Sequence, residues 1–195
     1  MFTPLNTVQG IYTSLVNENK DVLCMDFNPT SDRYPEPLIQ SSFERELRYI
    51  NRLRKYPWAP ELLEVSANER KLYIKWYDNT CEDRIPNDYA AQLLFMCSDL
   101  YREQIYKPSF YPKYFYTDNM NRMHMFNFYT AFDYSEQPLN VNFYSPILNG
   151  DRKELVDKIS QDGLLDVKLL MKYAFTEYIN WPNNILKDIY KKIYE

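Results

Sequence analysis

Glycine is nearly missing: Gly10, Gly150 and Gly163 are the only three in 195 residues. They stand far apart, so neither a Walker-type phosphate loop nor the glycine fingerprint of a dinucleotide-binding turn can be built. Histidine is scarcer still, with His124 alone, and no two cysteines form a C-x-x-C pair. The usual ligands for a zinc centre are therefore too few, and no metal or cofactor is expected. The three cysteines, Cys24, Cys81 and Cys97, are an odd number without paired spacing. That fits reduced thiols in a cytoplasm rather than a disulfide framework. Each also lies in an apolar pattern, the setting of an inert buried thiol rather than a Cys–His nucleophile. His124 reads as an ordinary polar residue on a strand face. No apolar run approaches the roughly 20 residues that a membrane-spanning helix needs. The opening Met1-Phe2-Thr3-Pro4 lacks the basic and apolar stretches of a secretion signal. A cytoplasmic protein without membrane contact is the expectation.

A basic excess is missing too. Lys and Arg total 23 against 27 Asp and Glu, a net charge of −4, which argues against a generic nucleic-acid binder. Apolar residues at 45% and charged residues at 26% are those of a globular chain. The length suits one domain, or one with a small lobe attached, and suffices for a core without staples. Aromatics are abundant instead: 19 Tyr and 11 Phe. Tyr, Phe, Asn, Ile and Lys have AT-rich codons, which points to a low-GC genome such as that of a virus or phage, with the host cytoplasm as the location. Tyr106, Tyr111, Tyr114, Tyr116, Tyr129 and Tyr134 cluster among Lys107, Lys113 and Arg122. Such a mixture can stack single-stranded nucleic acid. Rings packed at the rim of a core with wet hydroxyls, or a protein contact, suit the acidic balance better.

The hydropathy pattern predicts a strand hairpin from residues 11–16 and 22–27, then a loop broken by Pro29, Pro35 and Pro37. From about Gln40 to Lys55, Phe43, Leu47, Ile50 and Arg54 fall at helical spacing, with Ser41 or Ser42 as the cap. Two strands follow near Glu61–Val65 and Lys71–Trp76. The segment Asp88–Ile105 carries a broad apolar stripe that includes Leu93, Leu94, Cys97 and Leu100. A second hairpin is expected around Asp118-Asn119-Met120-Asn121, and three helices after residue 151. The fold class is α+β, with a strand-rich lobe over 1–77 containing one helix and a mostly helical lobe over 78–195.

The order hairpin, helix, two strands, long helix, hairpin resembles the protein kinase-like fold, nearest its aminoglycoside-phosphotransferase and lipopolysaccharide-kinase type branches. Val22-Leu23-Cys24-Met25 resembles the strand that carries the nucleotide-contacting lysine, and Phe43-Glu44-Arg45-Glu46-Leu47 the helix whose glutamate pairs with it. Tyr106 to Phe128 resembles the catalytic loop and the metal-binding strand end. The resemblance implies a two-lobed architecture with an N-terminal antiparallel sheet and a truncated, mostly helical C-terminal part.

The departures from that pattern carry the functional expectation. The lysine slot falls at Cys24, or at Met25 one residue on, and Glu46 (alternatively Glu44) stands in the helix-glutamate slot without its partner. Ser109 occupies the catalytic-aspartate slot, Tyr114 the second metal-ligand slot, and Asn127 the aspartate slot of the segment Met125-Phe126-Asn127-Phe128-Tyr129. Neither Cys nor Met can hold phosphates, Ser cannot accept a proton as a carboxylate does, and a neutral amide is a poor Mg²⁺ ligand. Phosphoryl transfer is almost wholly positioning and electrostatics, so these replacements imply a catalytically inactive pseudokinase that works by binding another protein, with no cofactor. One alternative is an active phosphotransferase with a rewired site using Glu46, Asn127, Asp118 or Asp133 and Lys75 or Lys113. Another is an unrelated α+β module that binds nucleic acid or protein. In the final segment Ile185 and Ile189 share a helical face with Tyr190, and together with Trp181 they are the expected interface, to a partner protein or to a second copy.

Overall fold

The computed structural model describes residues 1–5, 10–29, 34–77, 79–81, 85–107 and 112–133. The expected C-terminal helices, with Trp181, Ile185, Ile189 and Tyr190, lie outside the described residues, as does Ser109.

Nine strands and two helices follow in the order β1 (Phe2–Pro4), β2 (Thr13–Asn17), β3 (Val22–Asp26), α1 (Glu36–Leu53), β4 (Leu62–Ser66), β5 (Lys71–Lys75), α2 (Tyr89–Arg102), β6 (Ile105–Tyr106), β7 (Phe115–Thr117), β8 (Met123–Met125) and β9 (Phe132–Asp133) among the described residues. The first five strands form one antiparallel sheet in the order β1-β2-β3-β5-β4. The β2–β3 turn closes without glycine. Asn17 accepts from the backbone N–H groups of Asp21 and Val22, both at 3.0 Å, while Lys20 takes a left-handed φ of 56°. An Asn side chain of this kind supplies the turn geometry that glycine would otherwise provide.

Leu23, Met25, Leu72 and Ile74 are buried along one face of the sheet, as the two-residue alternation of strands requires. Phe27 continues the odd-numbered face of β3 and meets Phe43 of α1 edge-on, with ring centroids 5.8 Å apart. The buried stripe of α1 is Ile39, Ser42, Phe43, Glu46, Tyr49, Ile50 and Leu53. The helix begins at Glu36, four residues before the expected start. Proline in the first turn forfeits no intrahelical bond, so Pro35 and Pro37 open the helix rather than break the chain. The expected serine cap is replaced by Pro35, and Ser41 Oγ donates to the Leu38 carbonyl at 3.1 Å instead.

The chain divides into two compact units, residues 1–89 with 112–129 and residues 90–111 with 130–195. In the second, Leu93, Met96, Cys97 and Leu100 of α2 are buried. The helix ends at Arg102, so Ile105, expected within its stripe, is instead buried on β6 and pairs with Asp133 of β9. Gln104 turns the chain there with a φ of 57°. Among the described residues no helix is long and apolar enough to cross a membrane.

Candidate functional site

Within the first unit, three side chains distant in sequence meet. Glu46 projects from the middle of the apolar stripe of α1 and is fully buried. The backbone N–H of Asn127 donates to Glu46 Oε1 at 3.0 Å. The Tyr12 hydroxyl, from the bend that precedes β2, donates to Asn127 Oδ1 at 2.9 Å. Asn127 lies two residues after β8 with a φ of 70°. Asn tolerates the left-handed region better than most residues do, and that backbone turn accompanies its N–H bond to α1. Asn127 is 1% exposed, and its Nδ2 has no hydrogen-bond partner among the described residues.

Tyrosines crowd this network. The Tyr12 ring lies 5.0 Å from Phe27 and meets Tyr129 edge-on at 5.8 Å. Tyr114, in a short 3-10 turn over Pro112–Tyr114, meets Phe126 edge-on at 6.1 Å. Burial pushes the Tyr12 hydroxyl well above its ordinary range, and the Glu46 carboxylate and the phenols of Tyr114 and Tyr129 push the same way. Tyr129 is raised by burial first, then by Tyr114, Tyr34 and Glu46. These hydroxyls are therefore neutral donors at pH 7, not bases.

Of the residues in kinase-like slots, the structure brings together Glu46 and Asn127, with Tyr114 close enough to influence Tyr12. Cys24 is turned away. It shares its side of the sheet with Tyr73, its cross-strand partner, whose side chain bonds to it, and burial raises its thiol to about 11. Met25 belongs instead to the odd-numbered face that continues through Phe27 toward α1. The acidic and basic groups considered for a rewired site are otherwise engaged. Asp118 Oδ1 accepts from the backbone N–H groups of Met120 at 2.8 Å and Arg122 at 2.9 Å, and Oδ2 accepts from Arg122 Nε at 2.7 Å. That carboxylate shapes the β7–β8 turn. Lys75 Nζ lies 3.8 Å from Glu61, and Lys113 Nζ sits 5.1 Å above the Tyr114 ring. Asp133 belongs to the second unit.

The aromatic segment is only partly a rim. Tyr116 is buried, stacked on His124 at 5.0 Å and tilted against Trp76 at 4.9 Å. It is core, with no face free for a nucleobase, and Lys107 is likewise buried. Tyr12 was the participant that sequence reasoning missed. Its one signal was a position two residues after Gly10, inside a run that reads as ordinary strand.

No family model matches the chain, and no curated protein matches it. Solved structures do match. One is a co-crystal structure of WbdD with a kinase inhibitor, at 13% identity and a TM-score of 0.52, covering 98% of this chain and 45% of that one. The chain spans less than half the length of that neighbour. At this identity the likeness is one of fold: the architecture is kinase-like, and chemistry has to be argued from the site.

Proposed function

We propose that the chain is a kinase-like protein that does not transfer phosphoryl groups and acts by binding another protein. The observation that carries the first half is the state of Asn127. In the slot where a kinase-like site needs a metal-binding carboxylate, its neutral amide oxygen accepts from Tyr12 and its backbone N–H is spent on Glu46. Oxygen ligands for Mg²⁺ must be free and preferably anionic. The residues described do not fit a magnesium nucleotide: the glutamate of α1 binds a backbone amide, and of the two residues for the lysine slot Cys24 faces the other side of the sheet while Met25 is a thioether where phosphates need a cation. Among the described residues no group of three or more His, Cys, Asp or Glu side chains could hold a metal ion.

The protein-binding half rests on the sequence of the final segment, where Trp181 and Tyr190 with Ile185 and Ile189 supply the aromatic and aliphatic anchors that interfaces use. Calorimetric titration of the full chain with ATP and Mg²⁺ tests the first half; no binding is expected, and magnesium-dependent affinity in the micromolar range would overturn it. For the second half, Trp181→Ala and Tyr190→Ala should abolish association and leave the monomer folded. A monomer at every concentration in light scattering, with no partner bound, would refute it.

A further inference from the structure

Tyr12 is held the way a bound molecule is held. Its ring sits against Phe27 at 5.0 Å and Tyr129 at 5.8 Å, and its hydroxyl donates to the buried Asn127 amide at 2.9 Å. One end of this environment is aromatic and the other is polar, where the hydroxyl meets the Asn127 amide and the Ser14 side chain, which is the complement of a phenol. The ring is delivered by a bend rather than by a laddered strand, since β2 begins only at Thr13. The amide it meets is also incompletely used, because Asn127 Nδ2 is buried without a partner among the described residues.

We propose that the space bounded by Phe27, Tyr129 and Asn127 is a binding site for a small phenol, and that Tyr12 fills it as a ligand built into the chain. The proposal concerns what occupies this space and stands whether or not the protein transfers phosphate. Removing the Tyr12 side chain beyond Cβ leaves an aromatic-lined cavity of the shape of phenol, and apolar cavities of that kind take up small rings. The hydroxyl adds selectivity, because a ring without it leaves the Asn127 oxygen unpaired.

The test uses the full chain carrying Tyr12→Ala, with phenol and benzene as probes. Phenol should raise its Tm saturably, benzene should raise it less, and the wild-type chain should respond to neither, since Tyr12 already fills the site. In NMR spectra of Tyr12→Ala the Asn127 side-chain amide should shift with phenol and saturate with it. Equal shifts in Tm from both probes, no saturable response to phenol, the same response in the wild type, or an unmoved Asn127 amide would each overturn the proposal. Where Tyr12→Ala does not fold alone, it is refolded in phenol: a recovered cooperative transition supports the site, and failure to recover one overturns it.

Discussion

The Asn127 backbone N–H and the Glu46 carboxylate are joined at 3.0 Å across 81 positions of sequence, tying the segment after β8 to the centre of α1. A polar group inside an apolar helix stripe is expensive where its atoms go unbonded, and this bond satisfies Oε1 of the buried Glu46 carboxyl. Glu46→Ala leaves the Asn127 N–H buried without its acceptor and should cost about 1–3 kcal/mol in urea unfolding. Glu46→Gln retains an acceptor oxygen and should lose less. A loss below about 0.5 kcal/mol for Glu46→Ala would mean that the bond contributes nothing to the native state.

Asn127 itself should separate backbone from side-chain effects. Its φ of 70° suits Gly and Asn, whereas Ala is penalised there by roughly 1–2 kcal/mol. Both Asn127→Gly and Asn127→Ala remove the acceptor of the Tyr12 hydroxyl. Ala should therefore be the more destabilising of the two, although Gly ordinarily loses more entropy on folding. The reverse order in chemical denaturation would show that the left-handed backbone is not maintained by this segment.

The three thiols make a simpler test. Cys24, Cys81 and Cys97 are all buried, and burial raises them to about 11, about 12 and about 12. The thiolate is the reactive form, so native protein at pH 8 should leave Ellman's reagent unreacted over the time in which urea-unfolded protein releases three equivalents. One equivalent released promptly from native protein would identify a thiol that is neither buried nor inert.

Much of the fold was legible because it rests on short-range periodicity. β-Favouring runs on either side of a polar turn located the β2–β3 and β7–β8 hairpins, and the spacing of Phe43 and Ile50 located α1, with Glu46 carried onto the buried face by the same geometry. The start of α1 lies earlier than its apolar spacing indicates, because proline punctuates a chain in most places but costs no hydrogen bond in the first turn of a helix. Ile105 looked helical because an apolar residue at the end of a stripe fits a helix or a strand equally well. The site was legible only in halves. Glu46 and Asn127 were singled out by their resemblance to kinase-like slots, but nothing local indicates that the Tyr12 hydroxyl would find an amide 115 positions away. Cys24 shows the opposite failure: a one-residue choice of register decides which side of the sheet a slot faces, and the sequence left Cys24 and Met25 both open.

His124 should make stability depend on pH in a direction set by its surroundings. It is the single histidine of the chain and lies buried on β8, stacked on Tyr116 at 5.0 Å and on Tyr77 at 6.1 Å. Its Nδ1 is 3.4 Å from the Ala59 carbonyl and its Nε2 is 3.5 Å from Asp118 Oδ2. Both acceptors favour the imidazolium, but burial outweighs them, aided by the nearby Arg122, and the pKa falls below its ordinary 6.5. The folded state thus binds fewer protons than the unfolded chain over that interval, so stability rises with pH there. It is fully present above about 6.5 and is lost as pH falls toward the folded value. Asp118 acts in a separate, lower window. Burial draws its carboxyl up, but bonds from Arg122, Met120 and His124 together draw it down further, so its contribution is lost only below the usual carboxylate range. Urea unfolding of the wild type should therefore weaken between pH 7 and pH 5.5 (chosen to bracket an ordinary histidine, roughly pKa 6.5), whereas His124→Gln should be flat across that interval. Both proteins should weaken together once Asp118 titrates. A wild type that gains stability as pH falls from 7 to 5.5 would mean that the Asp118 and Ala59 oxygens prevail over burial, and that His124 is charged in the native state.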